Sequence, residues 1–111
     1  CAPPTMYRMM IRQDLDKYDL SSLVHATSAG EDLHPEVSRI FEKETGLQLM
    51  EGFGQAETTL TVGNLIGTAP RYGSMGKAMP TYDLCLLDRD GHPVPTGSSG
   101  EICIRVDKKT P

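Results

Sequence analysis

The 111-residue sequence lacks a strong excess of charge of either sign, a long apolar run and a paired set of cysteines. Its 11 basic and 15 acidic residues are scattered without a basic stripe, which argues against a nucleic-acid partner. No apolar run approaches the roughly 20 residues that cross a bilayer, and no basic and apolar leader is evident. A soluble protein without a membrane span is therefore expected.

The three cysteines, Cys1, Cys85 and Cys103, are an odd number and lack the C-x-x-C or Cys/His spacing of metal sites. This argues against both a structural zinc site and a disulfide framework. Cys85 and Cys103 lie among apolar residues, so small core residues are predicted rather than reactive thiols. Free cysteines predict a reducing cytoplasm as the location. The sequence does not indicate an oligomeric state.

Residues 23–50 predict a βαβ unit with parallel strands. A short apolar run at residues 23–27 predicts the first strand, and residues 47–50 predict the second. Between them, a helix is expected to begin near Pro35 and to end at Gly46. A shorter helix is expected after Pro3 and Pro4, with the methionines at positions 6, 9 and 10 packed into the core.

The rest of the chain predicts a different kind of structure. Residues 58–80 are rich in glycine and threonine and show little periodicity, so an irregular segment is expected. The runs "TYDLCLLD" and "GEICIRV" predict two antiparallel strands. The predicted fold class is α/β, with a parallel-sheet piece at 1–57, a linking segment at 58–80 and an antiparallel β-rich piece at 81–111.

The stretch "EGFGQAET", residues 51–58, predicts a loop directly after the second strand, because it fits neither helical nor strand periodicity. Its glycines let a ligand approach the backbone, and Phe53 offers a flat face for a planar ring. Gln55 can donate and accept hydrogen bonds, and Glu57 is suited to Mg²⁺ with phosphate oxygens. The residues are thus compatible with a nucleotide and its metal. They are also compatible with a glycine-rich turn, a buried aromatic ring and a solvated carboxylate, which short glycine motifs more often form.

Position also favours a ligand site at this stretch. Ligands of open α/β sheets bind outside the carboxyl ends of the strands. The loop "SAGED", residues 28–32, follows the first predicted strand, and "EGFGQAET" follows the second. Both loops are therefore expected at the same edge of the sheet.

Three motifs together resemble the adenylate-forming enzymes, the superfamily of acyl-CoA synthetases, adenylation domains and luciferases. "EGFGQAET" resembles their aromatic-Gly-x-Thr-Glu motif, and "SAGEDLHPEV" resembles their Gly-Glu-x-Leu loop. The segment from "YGSMGKAMP" to "GEICIR" is similar to the one that follows in the family. The order and spacing agree over nearly the whole chain, and the medium-chain acyl-CoA synthetases are the most similar branch.

The resemblance implies an enzyme that makes an acyl-AMP from a carboxylic acid and Mg-ATP, releases pyrophosphate and transfers the acyl group to coenzyme A. It implies that residues 58–63 border the acyl pocket and that Glu57 is both the catalytic residue and the Mg²⁺ ligand. Phe53 would stack on the adenine. The implied binding residues for ATP or AMP are Gly30, Glu31, Asp32, Glu51, Gly52, Phe53, Gly54, Gln55 and Ala56.

The chain departs from the family at Ala56, where a threonine is usual, and at Phe53, where tyrosine is commoner. The family's phosphate loop is expected before residue 1, and its ribose-binding aspartate and C-terminal domain after residue 111. The chain is therefore interpreted as an internal fragment that is inactive alone. Two alternatives stay open: an adenylation domain that loads a carrier protein, and a non-catalytic module that binds a nucleotide or a partner.

Overall fold

The computed structural model describes residues 1–107, which form two compact units. The first unit comprises residues 1–77, and the second begins at Ala78. Among residues 1–107, no helix has the length and apolar character that a membrane-spanning helix needs. The helices and strands in chain order are α1 (Pro4–Met10), a short 3₁₀ helix (Leu15–Lys17), β1 (Ala26–Ser28), α2 (Pro35–Thr45), β2 (Leu49–Gln55), β3 (Thr59–Gly63), β4 (Lys77–Ala78), β5 (Leu84–Leu87) and β6 (Glu101–Ile104).

In the first unit, strands β1, β2 and β3 lie side by side in that order in a mixed sheet. Strands β1 and β2 are parallel, with Ala26 opposite Leu49 and Ser28 opposite Glu51, and helix α2 connects them. The predicted βαβ unit is therefore confirmed. Its strand bounds differ from the prediction, because pairing with β2 begins only at Ala26 and residues 23–25 are exposed.

Helix α2 begins and ends where local signals predict. The His34 ring nitrogen Nδ1 accepts a hydrogen bond from the Glu36 backbone N–H at 3.3 Å, and Pro35 occupies the first turn. Gly46 ends the helix in the left-handed conformation at φ +73°, which glycine adopts without a Cβ penalty. Val37 and Phe41 are buried on the face toward the sheet, where they pack with Leu49 of β2.

Helix α1 is held mainly by Tyr7, and of the three methionines predicted in the core, Met10 packs against it. The Tyr7 hydroxyl donates a hydrogen bond to the Thr27 carbonyl at 3.0 Å, and its ring contacts Phe41 edge-on at 5.1 Å between centroids. This contact turns Met6 and Met9 outward, and they are 43% and 57% exposed. Their predicted place in the core was wrong, since the buried contact of one aromatic ring fixes the rotation of this two-turn helix.

Residues 51–63 form a β-hairpin, so the prediction of a loop starting at residue 51 was wrong. Strand β2 continues to Gln55 and pairs with the antiparallel strand β3, with a register shift between Phe53 and Gly54. The predicted irregular structure of residues 58–80 was likewise wrong at 59–63. Gly52 and Gly54 lower the strand propensity of β2, but cross-strand pairing overrides this local preference. Strand β3 itself begins with Thr59, Leu60, Thr61 and Val62, which favour a strand.

The second unit contains the antiparallel pair β5 and β6, which confirms the two predicted strands. Cys85 lies directly opposite Cys103, and both thiols are free and half-buried. Burial raises the pKa of the Cys103 thiol, so its reactive thiolate form is disfavoured. This agrees with the predicted low reactivity of Cys103, whereas neither cysteine has the fully buried core position that was predicted.

Candidate functional site

A cavity of about 290 Å³ opens at the carboxyl edge of the parallel strands β1 and β2. Its lining comes from residues 30–32, which follow β1, from residues 51–54 of β2, and from Met75. The structure therefore brings together the two loops that the sequence placed at one sheet edge. All of these residues belong to the first compact unit.

Two glycines let β2 and β3 approach closely at the cavity wall. A Cβ on Gly52 would lie 2.7 Å from Leu60 Cδ1, and a Cβ on Gly54 would collide with the Thr59 carbonyl group. At Gly54 the obstacle is backbone, which cannot rotate away as a side chain can. The hairpin thus requires a residue without a side chain at this position.

Glu51 is the buried carboxylate of the site, with 7% of its surface exposed. Burial raises its pKa, and the nearby negative charge of Asp32 adds to the effect, whereas a hydrogen bond from the Leu33 backbone N–H lowers it. The Glu51 carbonyl oxygen also accepts hydrogen bonds from the Asn64 backbone N–H at 3.2 Å and from the Asn64 side-chain amide at 2.8 Å. These contacts connect the cavity wall to both flanking segments.

The surroundings of Glu31 lower the pKa of its carboxyl group, whereas those of Glu51 raise it. Its carboxylate accepts a hydrogen bond from the Thr5 hydroxyl at 2.7 Å and forms an ion pair with Arg8 at 3.1 Å. The Thr5 hydrogen bond and then the Arg8 contact lower the pKa of the Glu31 carboxyl group. The carboxylate is thus directed toward helix α1, and what Glu31 presents to a ligand is chiefly its backbone.

Three predicted site residues, Gln55, Ala56 and Glu57, do not line this cavity. They lie just beyond it, where β2 turns into β3, and all three are exposed. The Thr58 backbone N–H donates to the Gln55 carbonyl at 3.1 Å, which closes a four-residue turn around Ala56 and Glu57. The other seven predicted binding residues do line the cavity.

Met75 is a lining residue that the sequence did not predict. It lies in the segment "GSMG" between Gly73 and Gly76, which have φ values of +77° and +105°. Next to it, Tyr72 stacks under the Arg39 guanidinium of helix α2, with 5.4 Å from the guanidinium carbon to the ring centroid. The paired glycines were the only local signal, and they do not indicate which strand the segment approaches.

A second cavity, of about 220 Å³, is lined by residues 50–52 of β2. Glu51 and Gly52 line both cavities. Residues 27–29, Leu60 and residues 63–64 complete most of its wall. The two cavities therefore share β2 as a common wall.

Comparison with known proteins gives concordant results. The family described as AMP-binding enzyme matches residues 1–108. The chain is 43% identical over 111 residues to acyl-coenzyme A synthetase ACSM3, mitochondrial, of Mus musculus, and 42% identical to ACSM4, mitochondrial, of Homo sapiens. All of this chain aligns, but it covers only 19% of each relative, so it spans about a fifth of their length.

Solved structures show the same fold. The anthranilate CoA ligase AuaEII in complex with anthranoyl-AMP superposes with a TM-score of 0.86 at 33% identity, over 94% of this chain and 20% of that one. ATP-bound MatB from Rhodopseudomonas palustris superposes with a TM-score of 0.87 over 94% of this chain and 21% of that one. At 24% identity, the second match supports the fold alone. Together they confirm the predicted fold class, a piece of the large N-terminal domain of an acyl-CoA synthetase-like fold.

Proposed function

The chain belongs to the AMP-binding enzyme family, and from this premise we propose that it is part of an ATP-dependent acyl-CoA synthetase. The parent protein would convert a carboxylic acid and ATP to an acyl-AMP and pyrophosphate, and then transfer the acyl group to coenzyme A. Relatives at 43% and 42% identity carry the name acyl-coenzyme A synthetase, which supports this activity over the loading of a carrier protein.

The observation that carries the proposal is the cavity formed by residues 30–32 and 51–54. A partly apolar cavity wall that includes an aromatic ring and three glycines suits a purine base. In our proposal the ring of Phe53, which is half-buried at the wall, stacks on the adenine. Gly30 has open space on its Cβ side, which lets the backbone there approach the base and the sugar.

The charges around the cavity are compatible with a bound nucleotide. Glu51 has a raised pKa, so its neutral form is favoured relative to an ordinary carboxyl group. Glu31 is charged but is paired with Arg8. Both effects reduce the repulsion that two free carboxylates would exert on an anionic ligand.

Glu57 is the proposed ligand for Mg²⁺, and its surroundings fit that ion. It lies exposed in the turn beyond the cavity, and it is not among the described residues that form a cluster of three possible metal ligands. Mg²⁺ commonly binds through one or two carboxylates together with substrate phosphates and water, rather than in a cage of protein ligands. The ion, when bound, would offset negative charge on the phosphate oxygens.

The second cavity is the proposed acyl pocket. Residues 58–63 were expected to border it, and of these Leu60 and Gly63 line this cavity. It shares residues 51–52 with the adenine cavity, so an acyl group and a base would both lie next to these two residues of β2.

The location of the parent protein is a separate question. The relatives' names place those proteins in mitochondria, which does not fit the purely cytoplasmic location that the cysteine content predicted. We therefore do not assign this protein to the cytoplasm.

The proposed activity is tested by carboxylate-dependent exchange between ATP and labelled pyrophosphate. We expect the full-length parent to catalyse exchange with a fatty or aromatic acid and the isolated 111-residue chain to show none, because the chain spans about a fifth of its relatives. Exchange by the isolated chain would contradict its assignment as an incomplete site. A parent without exchange for any acid would favour the non-catalytic alternative.

Replacing Ala56 by threonine tests the proposed contact to the reacting phosphate. Ala56 lies in the turn directly before Glu57, and its methyl group cannot donate a hydrogen bond. A hydrogen bond formed in the transition state contributes about 1–3 kcal/mol, so we expect Ala56→Thr to raise the exchange kcat of the parent roughly tenfold.

Ala56→Val is the matched control, because valine has the shape of threonine without its hydroxyl group. We expect it to leave kcat at or below the wild-type value. Equal rates for the threonine and valine variants would show that a hydroxyl at position 56 makes no contact with the reacting groups.

A further inference from the structure

Two polar side chains of helix α1, Thr5 and Arg8, contact Glu31 in the loop between β1 and α2, residues 29–34, which contains the proposed adenine-binding residues 30–32. The Thr5 hydroxyl donates to Glu31 Oε2 at 2.7 Å, and Arg8 Nη2 donates to the same carboxylate oxygen at 3.1 Å. Arg8 Nη2 also donates to Thr5 Oγ1 at 2.6 Å. The three groups thus form a closed triangle of hydrogen bonds, which we call the α1 clamp.

The helix that carries the clamp is itself firmly anchored. Tyr7 is 5% exposed, and its hydroxyl and ring contact Thr27 and Phe41 as described above. The Ala2 backbone N–H also donates to the Thr27 carbonyl at 3.1 Å. Thr5 and Arg8 are three residues apart and therefore lie on the same face of the helix. Both side chains therefore project from a helix that buried contacts hold in place.

The loop between β1 and α2 needs such a support in its middle. Its ends are fixed, because Ser28 and Leu33 are each 1% exposed. Between them, Gly30 has a φ of +94° and an exposed position with open space on its Cβ side. Glycine has the widest range of backbone conformations, so this part of the loop is easily displaced. Glu31, the next residue, is the one that the clamp holds.

We propose that Thr5 and Arg8 are positioning residues for adenine-nucleotide binding, which hold residues 30–32 in the cavity wall through the Glu31 carboxylate. The inference rests on the proposed function of these residues. Neither Thr5 nor Arg8 lines the cavity, so both act through Glu31 and not by touching the nucleotide.

The solvent exposure of the clamp side chains indicates that the clamp affects nucleotide affinity rather than folding stability. The side chains of Arg8 and Glu31 are 44% and 46% exposed, and exposed ion pairs contribute little to the free energy of folding. Loss of the clamp should therefore leave global stability almost unchanged while it releases the loop. If the binding-competent fraction of the loop falls to about one fifth, the apparent affinity for the nucleotide falls about fivefold.

The test compares Arg8→Ala with wild type in the full-length parent, with Lys17→Ala as the matched control. Lys17 forms an exposed ion pair with Asp14, also at 3.1 Å, on a segment that does not line the cavity. We expect Arg8→Ala to raise the KM for ATP about fivefold with little change in kcat, in the KM for the carboxylate or in Tm. Lys17→Ala should change none of these, and Arg8→Lys should recover part of the ATP affinity.

Two results would overturn the proposal in an active parent. One is a wild-type KM for ATP in Arg8→Ala. The other is a joint rise of both KM values with a lower Tm, which would indicate a general structural role.

A direct titration with AMP separates the clamp from the proposed function. If the parent lacks exchange activity but binds AMP, and Arg8→Ala weakens that binding, the clamp is supported and the synthetase proposal fails. If AMP binds equally to both proteins, or to neither, the clamp proposal fails.

Discussion

Gly54→Ala is expected to abolish most of the activity of the parent protein, with a loss of at least about a hundredfold in kcat/KM for ATP. The added Cβ would collide with the Thr59 carbonyl oxygen and lie 2.7 Å from its carbonyl carbon. Because both atoms belong to the backbone of β3, relief requires separation of the two strands. Overpacking of this kind costs about 3 kcal/mol, and about 1.4 kcal/mol of lost binding corresponds to a factor of ten.

Gly46→Ala is the control that separates steric collision from backbone strain. Gly46 has a φ of +73° and no atom within 4 Å of the point that a Cβ would occupy, whereas Gly54 is confined by space alone. Alanine in the left-handed region costs about 1–2 kcal/mol. Gly46→Ala should therefore lower Tm but keep the KM for ATP, whereas Gly54→Ala should change both. A wild-type KM for ATP in Gly54→Ala would show that the close approach of β2 and β3 does not shape the nucleotide cavity.

Local signals in the sequence were sufficient to predict the helix α2 and the pairing of β5 with β6. Pro35 and Gly46 mark the two ends of α2, and the apolar residues between them recur at helical spacing. Each of the two C-terminal strands is a short apolar run next to turn residues, which suffices to predict an antiparallel pair. In these segments the local preference and the tertiary structure agree.

Strand β2 of the hairpin was not predictable from the same kind of signal. A Cβ on Gly54 would collide with the backbone of β3, and a Cβ on Gly52 would collide with the Leu60 side chain. The same two glycines erase the alternating pattern by which a strand is predicted. The glycines that let β2 and β3 approach at the cavity therefore also weaken the sequence signal for strand β2. Met75 was missed for a related reason, because only a long-range approach brings it to the cavity.

The candidate site could be predicted in position but not in detail. Strand order and the rule for carboxyl ends placed residues 28–32 beside residues 51–54, and the structure brings them together. No local pattern indicates that helix α1 contacts Glu31, because the interactions join residues 23 and 26 positions apart. Such contacts depend on how a helix packs against the rest of the fold, and here the buried contacts of Tyr7 fix that packing.

Glu57→Gln is expected to lower the exchange kcat of the parent by about 10²-fold or more at an ordinary Mg²⁺ concentration. Glutamine keeps the size of the side chain but removes the negative charge that a hard divalent cation requires. Stabilisation of phosphate charge by a bound metal contributes several kcal/mol to catalysis, so loss of its protein ligand should affect kcat more than the KM for ATP. The measurement is exchange kinetics over a titration of Mg²⁺.

The Mg²⁺ titration distinguishes a metal ligand from a residue that only shapes the turn. If Glu57 binds the ion, the Mg²⁺ concentration for half-maximal activity should rise in Glu57→Gln, and Glu57→Asp should recover part of the loss because it keeps the carboxylate. Glu44→Gln is the matched control, since Glu44 is an exposed carboxylate on helix α2 that lines neither cavity. It should leave the Mg²⁺ dependence unchanged. A Glu57→Gln protein with reduced kcat but an unaltered Mg²⁺ requirement would assign Glu57 to the geometry of the hairpin turn, because only a ligand couples the substitution to the concentration of the ion.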